Sequence, residues 1–243
     1  FPFEQEVFRG TGLAVDFVGN PLVAQIDTFL AAEAQPLPWA TRRRIALLPG
    51  SRRQEIERIL PAMLAAARRL EEQDPERSFV IAPPNERTER MVNEQVARVA
   101  EKPANLAVVR GAAREAMRQA DAALVASGTA TLETALIGTP QIVVYKTSAP
   151  TYWFARSVLT IRHIGLVNIV AQRTVCPEIL QHEATPQRLA DEAAKLLGDT
   201  PERQAMLAGY AEVRHLLGAE DAAENAAAIL ADGIRDAADQ PAP

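Results

Sequence analysis

Two short runs of the same form hold the residues best placed to do chemistry. The first is LLPGSRRQEI, residues 47–56, where an apolar stretch empties through Pro49, Gly50 and Ser51 into a helical pattern. A strand that turns into a helix this way leaves backbone N–H groups unpaired at the positive end of the helix, which is a seat for an anion. Arg52 adds a planar donor fork suited to phosphate. The run has neither the G-x-x-x-x-G-K-[ST] nor the G-x-G-x-x-G spacing, so the pattern by itself fits a plain turn equally well, with Ser51 as helix cap and Arg52 in solvent. The second run is ASGTATLE, residues 126–133. Gly128 lets a ligand approach the backbone, Ser127, Thr129 and Thr131 offer hydroxyls, and Glu133 lies one helical turn after Thr129. A carboxylate there accepts hydrogen bonds from a vicinal diol such as a ribose, although an acid near a helix start is also favoured by the helix dipole alone. Two such turns at the C-terminal ends of strands in one sheet point to a ligand with phosphate and sugar, hence a nucleotide.

A third feature is compositional. No Asp or Glu occurs between Glu133 and Glu178, although the chain carries 31 acids. The stretch holds Lys146, Arg156, Arg162, Arg173, His163 and the cluster Tyr152-Trp153-Phe154. Core residues such as Ile142 to Val144 explain part of the gap. The four cations suit an anionic ligand or an anionic membrane surface. Cys176 precedes a proline with no matched base beside it, and the three histidines have no metal-site spacing, so neither a nucleophilic thiol nor a structural metal is expected.

The elements that must position these turns follow from periodicity. Runs 45–51, 79–84, 106–111, 121–128 and 141–146 read as buried strands, separated by amphipathic stretches at 53–73, around Met91 to Val99, at 112–120 and at 129–138. Strands that alternate with helices predict a doubly wound parallel sheet. After residue 176 the pattern reads as all helical, with starts at Thr185-Pro186, Thr200-Pro201 and near Asp221. Ahead of residue 42, Phe3 to Phe8 reads as a short helical or extended piece, DFVGNP (16–21) as a strand end, and AAEAQPLPW (31–39) as a linker.

At 243 residues and 48% hydrophobic the chain is long enough for one large domain or one and a half. Its net charge of −5 argues against a nucleic-acid partner, and its single Cys fits an intracellular protein. The opening FPFEQEVF has no Met and no basic or apolar leader, so the start reads as cut.

LLPGSRRQEI, DAALVASGTATLETALIGTPQIVVYK, LVNIVAQRTVCPEILQHEATPQRLA and the opening FPFE with DFVGNPL together resemble lipid-A-disaccharide synthase, a bacterial glycosyltransferase family, from residue 1 to about residue 230. The resemblance implies the C-terminal half of a glycosyltransferase-B fold: 1–41 a remnant of the N-terminal acceptor domain with its linker, 42–176 the Rossmann-like domain that binds the nucleotide sugar, and 177–243 C-terminal helices. It implies inverting transfer of 2,3-diacylglucosamine from its UDP derivative to 2,3-diacylglucosamine 1-phosphate, giving the β-1,6 disaccharide and UDP. Gly50, Ser51 and Arg52 would hold the diphosphate, with Arg52 stabilising the UDP leaving group. Ser127, Gly128 and Thr129 would offer donors to the phosphates, Glu133 would hold the ribose, and Asn168 would line the cleft. No metal or other cofactor is implied. The resemblance further implies a cytoplasmic enzyme held peripherally at the inner membrane of a Gram-negative bacterium, with a homodimer left open. Gln172 stands where the family pattern N-[IL]-[VL]-A-G-R has Gly, a departure that bears on that loop's conformation. The general base is expected in the N-terminal domain, so the chain is expected to bind donor without full turnover. Alternatives on the same fold are a UDP-GlcNAc 2-epimerase, a peptidoglycan GlcNAc transferase, or a non-catalytic UDP-sugar-binding module.

Overall fold

The computed structural model describes residues 1–13, 15–147, 163–218 and 222–239. Strand β1 (Arg43–Leu48) lies inside a six-stranded sheet with β2 (Arg77–Ile81), β3 (Leu106–Val108), β4 (Ala122–Ala126), β5 (Gln141–Tyr145) and β6 (Glu178–Leu180). The order is β3-β2-β1-β4-β5-β6, and every pair is parallel. The chain winds outward from β1 to one edge and then from β4 to the other, so the crossover between β1 and β4 opens a crevice at the C-terminal ends of these strands.

Strand residues alternate between two apolar layers, which is why the sequence shows runs rather than a polar–apolar alternation. Ile45, Leu47, Phe79, Ile81 and Leu124 pack with α3 (Arg53–Gln73) and α4 (Glu86–Arg98). Ala46, Leu48, Val80, Ala82, Ala123 and Val125 face α5 (Ala113–Gln119), whose Ala116 and Met117 close that layer. Three alanines on this face let α5 lie close to the sheet. Helix α6 (Thr129–Ile137) follows β4 and ends at Gly138 in the left-handed conformation, the usual stop for a helix. Beyond it come α7 (Leu166–Ala171), α8 (Pro186–Ala194), α9 (Pro201–Leu216) and α10 (Ala222–Asp239). Thr185 and Thr200 each accept a hydrogen bond from the third backbone N–H of the helix they start, and Pro fills the first position of both.

Two expectations need correction. Residues 16–20 are not a strand end; Asn20 accepts the N–H of Leu22 at 3.0 Å and caps α2 (Pro21–Ala31), whose Leu22, Val23 and Ile26 are buried in the main core. The region after residue 176 is not all helical, because β6 extends the sheet, with Val143 opposite Glu178 and Tyr145 opposite Leu180. Three residues with one acid give too short a run to read as a strand. The piece at Phe3 to Phe8 contains α1 (Glu4–Phe8). Gln172 ends α7 at φ 53° and ψ 21°, the left-handed conformation that a glycine adopts most easily. The aromatic cluster 152–154, Arg156 and Arg162 lie outside the described residues. Among those residues no helix is long and apolar enough to cross a membrane.

Candidate functional site

The two turns singled out by sequence come together at the C-terminal edge of the sheet. A cavity of about 340 Å³ is lined by Pro49, Gly50, Ser51 and Arg52 from the turn after β1, and by Ala126, Ser127, Gly128, Thr129, Ala130 and Glu133 from the turn and helix after β4. Leu48 of β1, Ala82 and Pro84 after β2, and Ala113 and Met117 of α5 supply apolar wall, and Glu55 of α3 completes the lining. Seven of the eight residues expected at a ligand site thus share one cavity.

The first turn depends on Gly50, which sits at φ +96°; a side chain there would run into the Glu55 carboxylate. That carboxylate occupies the place that the strand-to-helix turn offers to an anion. Its Oε2 accepts the backbone N–H groups of Ser51 at 3.1 Å and Arg52 at 3.2 Å, and its Oε1 accepts the Arg52 guanidinium at 2.8 Å. Arg52 is nevertheless 82% exposed, so its other donors face solvent. Glu55 was not among the residues picked from the sequence. The sequence suggests Ser51 as the cap, which puts Gln54 and not Glu55 three residues on; in the structure Arg52 holds the cap position and Glu55 the third helical one, from which its carboxylate reaches back to the first amides.

The second turn is built differently. Gly128 adopts φ 152° and ψ −165°, a backbone region essentially restricted to glycine, and a Cβ there would meet nothing within 4 Å. No side chain caps α6, and the N–H groups of Thr129 and Ala130 have no partner among the described residues. Ser127 is held at both ends: its N–H donates to the Val144 carbonyl at 3.0 Å and its hydroxyl to the Ile164 carbonyl at 2.9 Å. Glu133 is 19% exposed, and its Oε1 accepts both Nε (2.9 Å) and Nη2 (2.7 Å) of Arg114.

Asn168 is the residue that does not join the cavity. It is fully buried, its amide donates to the Cys176 carbonyl and to Glu178, both at 2.8 Å, and its oxygen accepts the N–H groups of Val175 (2.7 Å) and Cys176 (2.9 Å). Every donor and acceptor is committed to bracing the entry to β6. Burial pushes the neighbouring Cys176 thiol up to about 12, so it is inert as a nucleophile at neutral pH.

The arrangement can hold an anion through a helix N-terminus and an arginine, and a diol through Glu133. The profile of the lipid-A-disaccharide synthetase family matches residues 1–231. A lipid-A-disaccharide synthase of Syntrophus aciditrophicus (strain SB) is 42% identical over 231 residues, covering 94% of this chain and 60% of that relative. One of Myxococcus xanthus (strain DK1622) is 39% identical over 234 residues, covering 93% and 59%. The chain therefore spans about three fifths of the length of these relatives. Among solved structures, a Listeria monocytogenes protein assigned as a UDP-N-acetylglucosamine 2-epimerase aligns with TM-score 0.64 at 15% identity, over 96% of this chain and 57% of that one. The α,α-trehalose 6-phosphate synthase of Burkholderia multivorans aligns with TM-score 0.53 at 13% identity, over 89% and 49%. These two likenesses speak to the fold, a Rossmann-like half of the glycosyltransferase-B kind. By sequence, the chain belongs to the lipid-A-disaccharide synthase family.

Proposed function

We propose that this chain binds UDP-2,3-diacylglucosamine for an inverting transfer to 2,3-diacylglucosamine 1-phosphate, yielding the β-1,6 disaccharide and UDP. The acceptor's 6-hydroxyl oxygen bonds to the anomeric carbon, the bond to UDP breaks, and a base takes the hydroxyl proton. No residue of this chain is assigned as that base.

One observation carries the reading: in a member of this family, the two anion-seating turns and an acid suited to a ribose line a single cavity at the sheet's switch point. In this reading Gly50, Ser51 and Arg52 hold the diphosphate, and Arg52 meets the charge that grows on the departing UDP. The open amides after Gly128 serve the phosphates, with Ser127 and Thr129 fixing the turn, and Glu133 takes the ribose.

The test is calorimetric titration with UDP, UDP-GlcNAc and its 2,3-diacylated form. The reading expects UDP to bind and the diacylated sugar to bind at least about tenfold more tightly than UDP-GlcNAc, since acyl chains bury apolar surface. Equal affinity for the two sugars would favour another UDP-GlcNAc enzyme on this fold. The acid-free segment from 134 to 177 supports a peripheral place at an anionic membrane. Replacing Arg156 and Arg162 with Glu is expected to reduce co-sedimentation with anionic vesicles, and unchanged sedimentation would remove that part.

A further inference from the structure

We propose that Arg114 is a positioning residue that presents the Glu133 carboxylate to the ribose of a bound nucleotide, an inference that rests on the reading of Glu133 given above. Arg114 sits on α5 and is not among the residues that line the cavity, whereas Glu133 is. Both donors of the guanidinium that reach Glu133 end on the same oxygen, Oε1. Oε2 has no partner among the described residues. A carboxylate pinned this way has one oxygen anchored and the other available to accept from a hydroxyl, with its rotamer already chosen.

The pair is not an ordinary surface ion pair. Its side chains are 34% and 19% exposed, and its two residues lie 19 apart in the chain, on α5 and α6, rather than as neighbours on one helix. The helix that carries Arg114 is itself fastened from behind. Arg118 donates to the Ala32 carbonyl at 2.8 Å, the Gln119 amide donates to the Gln35 carbonyl at 2.6 Å and accepts from Trp39 Nε1 at 3.0 Å, and Glu115 accepts the N–H of Gln35. Arg114 Nη2 also reaches Gln25 of α2 at 3.4 Å. Residues 25–39 thus hold α5, α5 holds Arg114, and Arg114 sets Glu133.

The experiment measures UDP and 2′-deoxy-UDP binding to the wild type, Arg114→Gln, Arg114→Lys and Glu133→Gln, with thermal melts to verify folding. The wild type is expected to prefer UDP by about tenfold or more, the scale of a hydrogen bond to a charged group. Arg114→Gln is expected to shrink that preference to within about threefold while 2′-deoxy-UDP affinity stays within about twofold. Arg114→Lys, which keeps the charge but lacks the paired donors, is expected to fall between, and it decides the matter should Arg114→Gln fail to fold. Adding Arg114→Gln to Glu133→Gln is expected to change the preference no further. A wild-type preference that survives in the folded Arg114 variant overturns the positioning role alone. Equal wild-type affinity for the two nucleotides, or no binding of either, overturns the ribose reading and this inference with it.

Discussion

The turn after β1 and the turn after β4 have the same form, strand into glycine into helix, yet one is occupied by its own side chain and the other is open. At the first, the Glu55 carboxylate satisfies the Ser51 and Arg52 amides and pairs with the Arg52 guanidinium. At the second, the first amides of α6 have no partner among the described residues, and the space beside Gly128 is clear. The difference is one of cost. An anion arriving after Gly128 gains new hydrogen bonds to bare donors, whereas one arriving at Ser51 exchanges a carboxylate for a phosphate and gains only the difference. An exchange favours a ligand of higher charge, and Arg52 can turn from Glu55 to that ligand because most of its surface is free. Under the proposed function, the first turn would therefore serve the group whose charge rises during transfer, and the second ground-state binding.

Arg52→Ala should have the largest effect on this contrast. In a protein of the full length of its relatives, and on the proposed reaction, kcat is expected to fall about 10²- to 10³-fold, the scale for removing one donor aimed at developing charge. The melting temperature should barely move, since Arg52 is exposed. Thr129→Ala, in the turn where backbone amides are the donors, is expected to cost less than about fivefold. Comparable losses from the two substitutions in steady-state kinetics would abolish the distinction between the turns.

The glycines offer the next test. Alanine at either position is strained by about 1–3 kcal/mol, because both backbones lie at positive φ. At Gly50 the new methyl also collides with Glu55, so Gly50→Ala should cost about 1 kcal/mol more than Gly128→Ala in denaturant unfolding, by loss of the cap. That excess should vanish in a Glu55→Ala background. Persistence of the excess there would mean that Glu55 is not what distinguishes the two turns.

The strands and helices from residue 43 to 145 were legible in the sequence because a parallel sheet buried on both faces writes itself as apolar runs with amphipathic stretches between them. Both turns were legible for the same reason: glycine at a strand end is a backbone requirement that local sequence expresses. What escaped was fixed by partners distant in the chain. Strand β6 is three residues long and exists through its pairing with β5. Asn168 read as a cleft residue because its segment carries a family pattern, but the loop at 175–178 claims all its hydrogen bonds. Arg114 has no local feature that announces it, since its role depends on an acid in the next helix. The Asn20-Pro21 pair that starts α2 carries its own signal, an Asn cap with Pro at the first helical position, but DFVGNP taken by itself also reads as the close of a strand.

Glu55→Gln is the smallest and most direct probe of the occupied turn. Glutamine keeps an oxygen to accept the Ser51 and Arg52 amides but gives up the negative charge that competes with an incoming phosphate and holds Arg52. Stability is expected to fall by less than about 1 kcal/mol, from the lost charge near a helix N-terminus and a weaker cap. Two effects then push UDP affinity the same way: the resident acceptor leaves more readily, and Arg52 is freed. A rise of about three- to tenfold in UDP affinity is expected by calorimetry, with uridine, which has no phosphate, unchanged. The rise should flatten with added salt, because the relieved repulsion is partly exposed to solvent. Were UDP affinity to fall while uridine held steady, Glu55 would be shaping the turn for the phosphate instead of filling its place, and the contrast between an occupied and an open turn would have to be redrawn as one between two pre-formed anion seats.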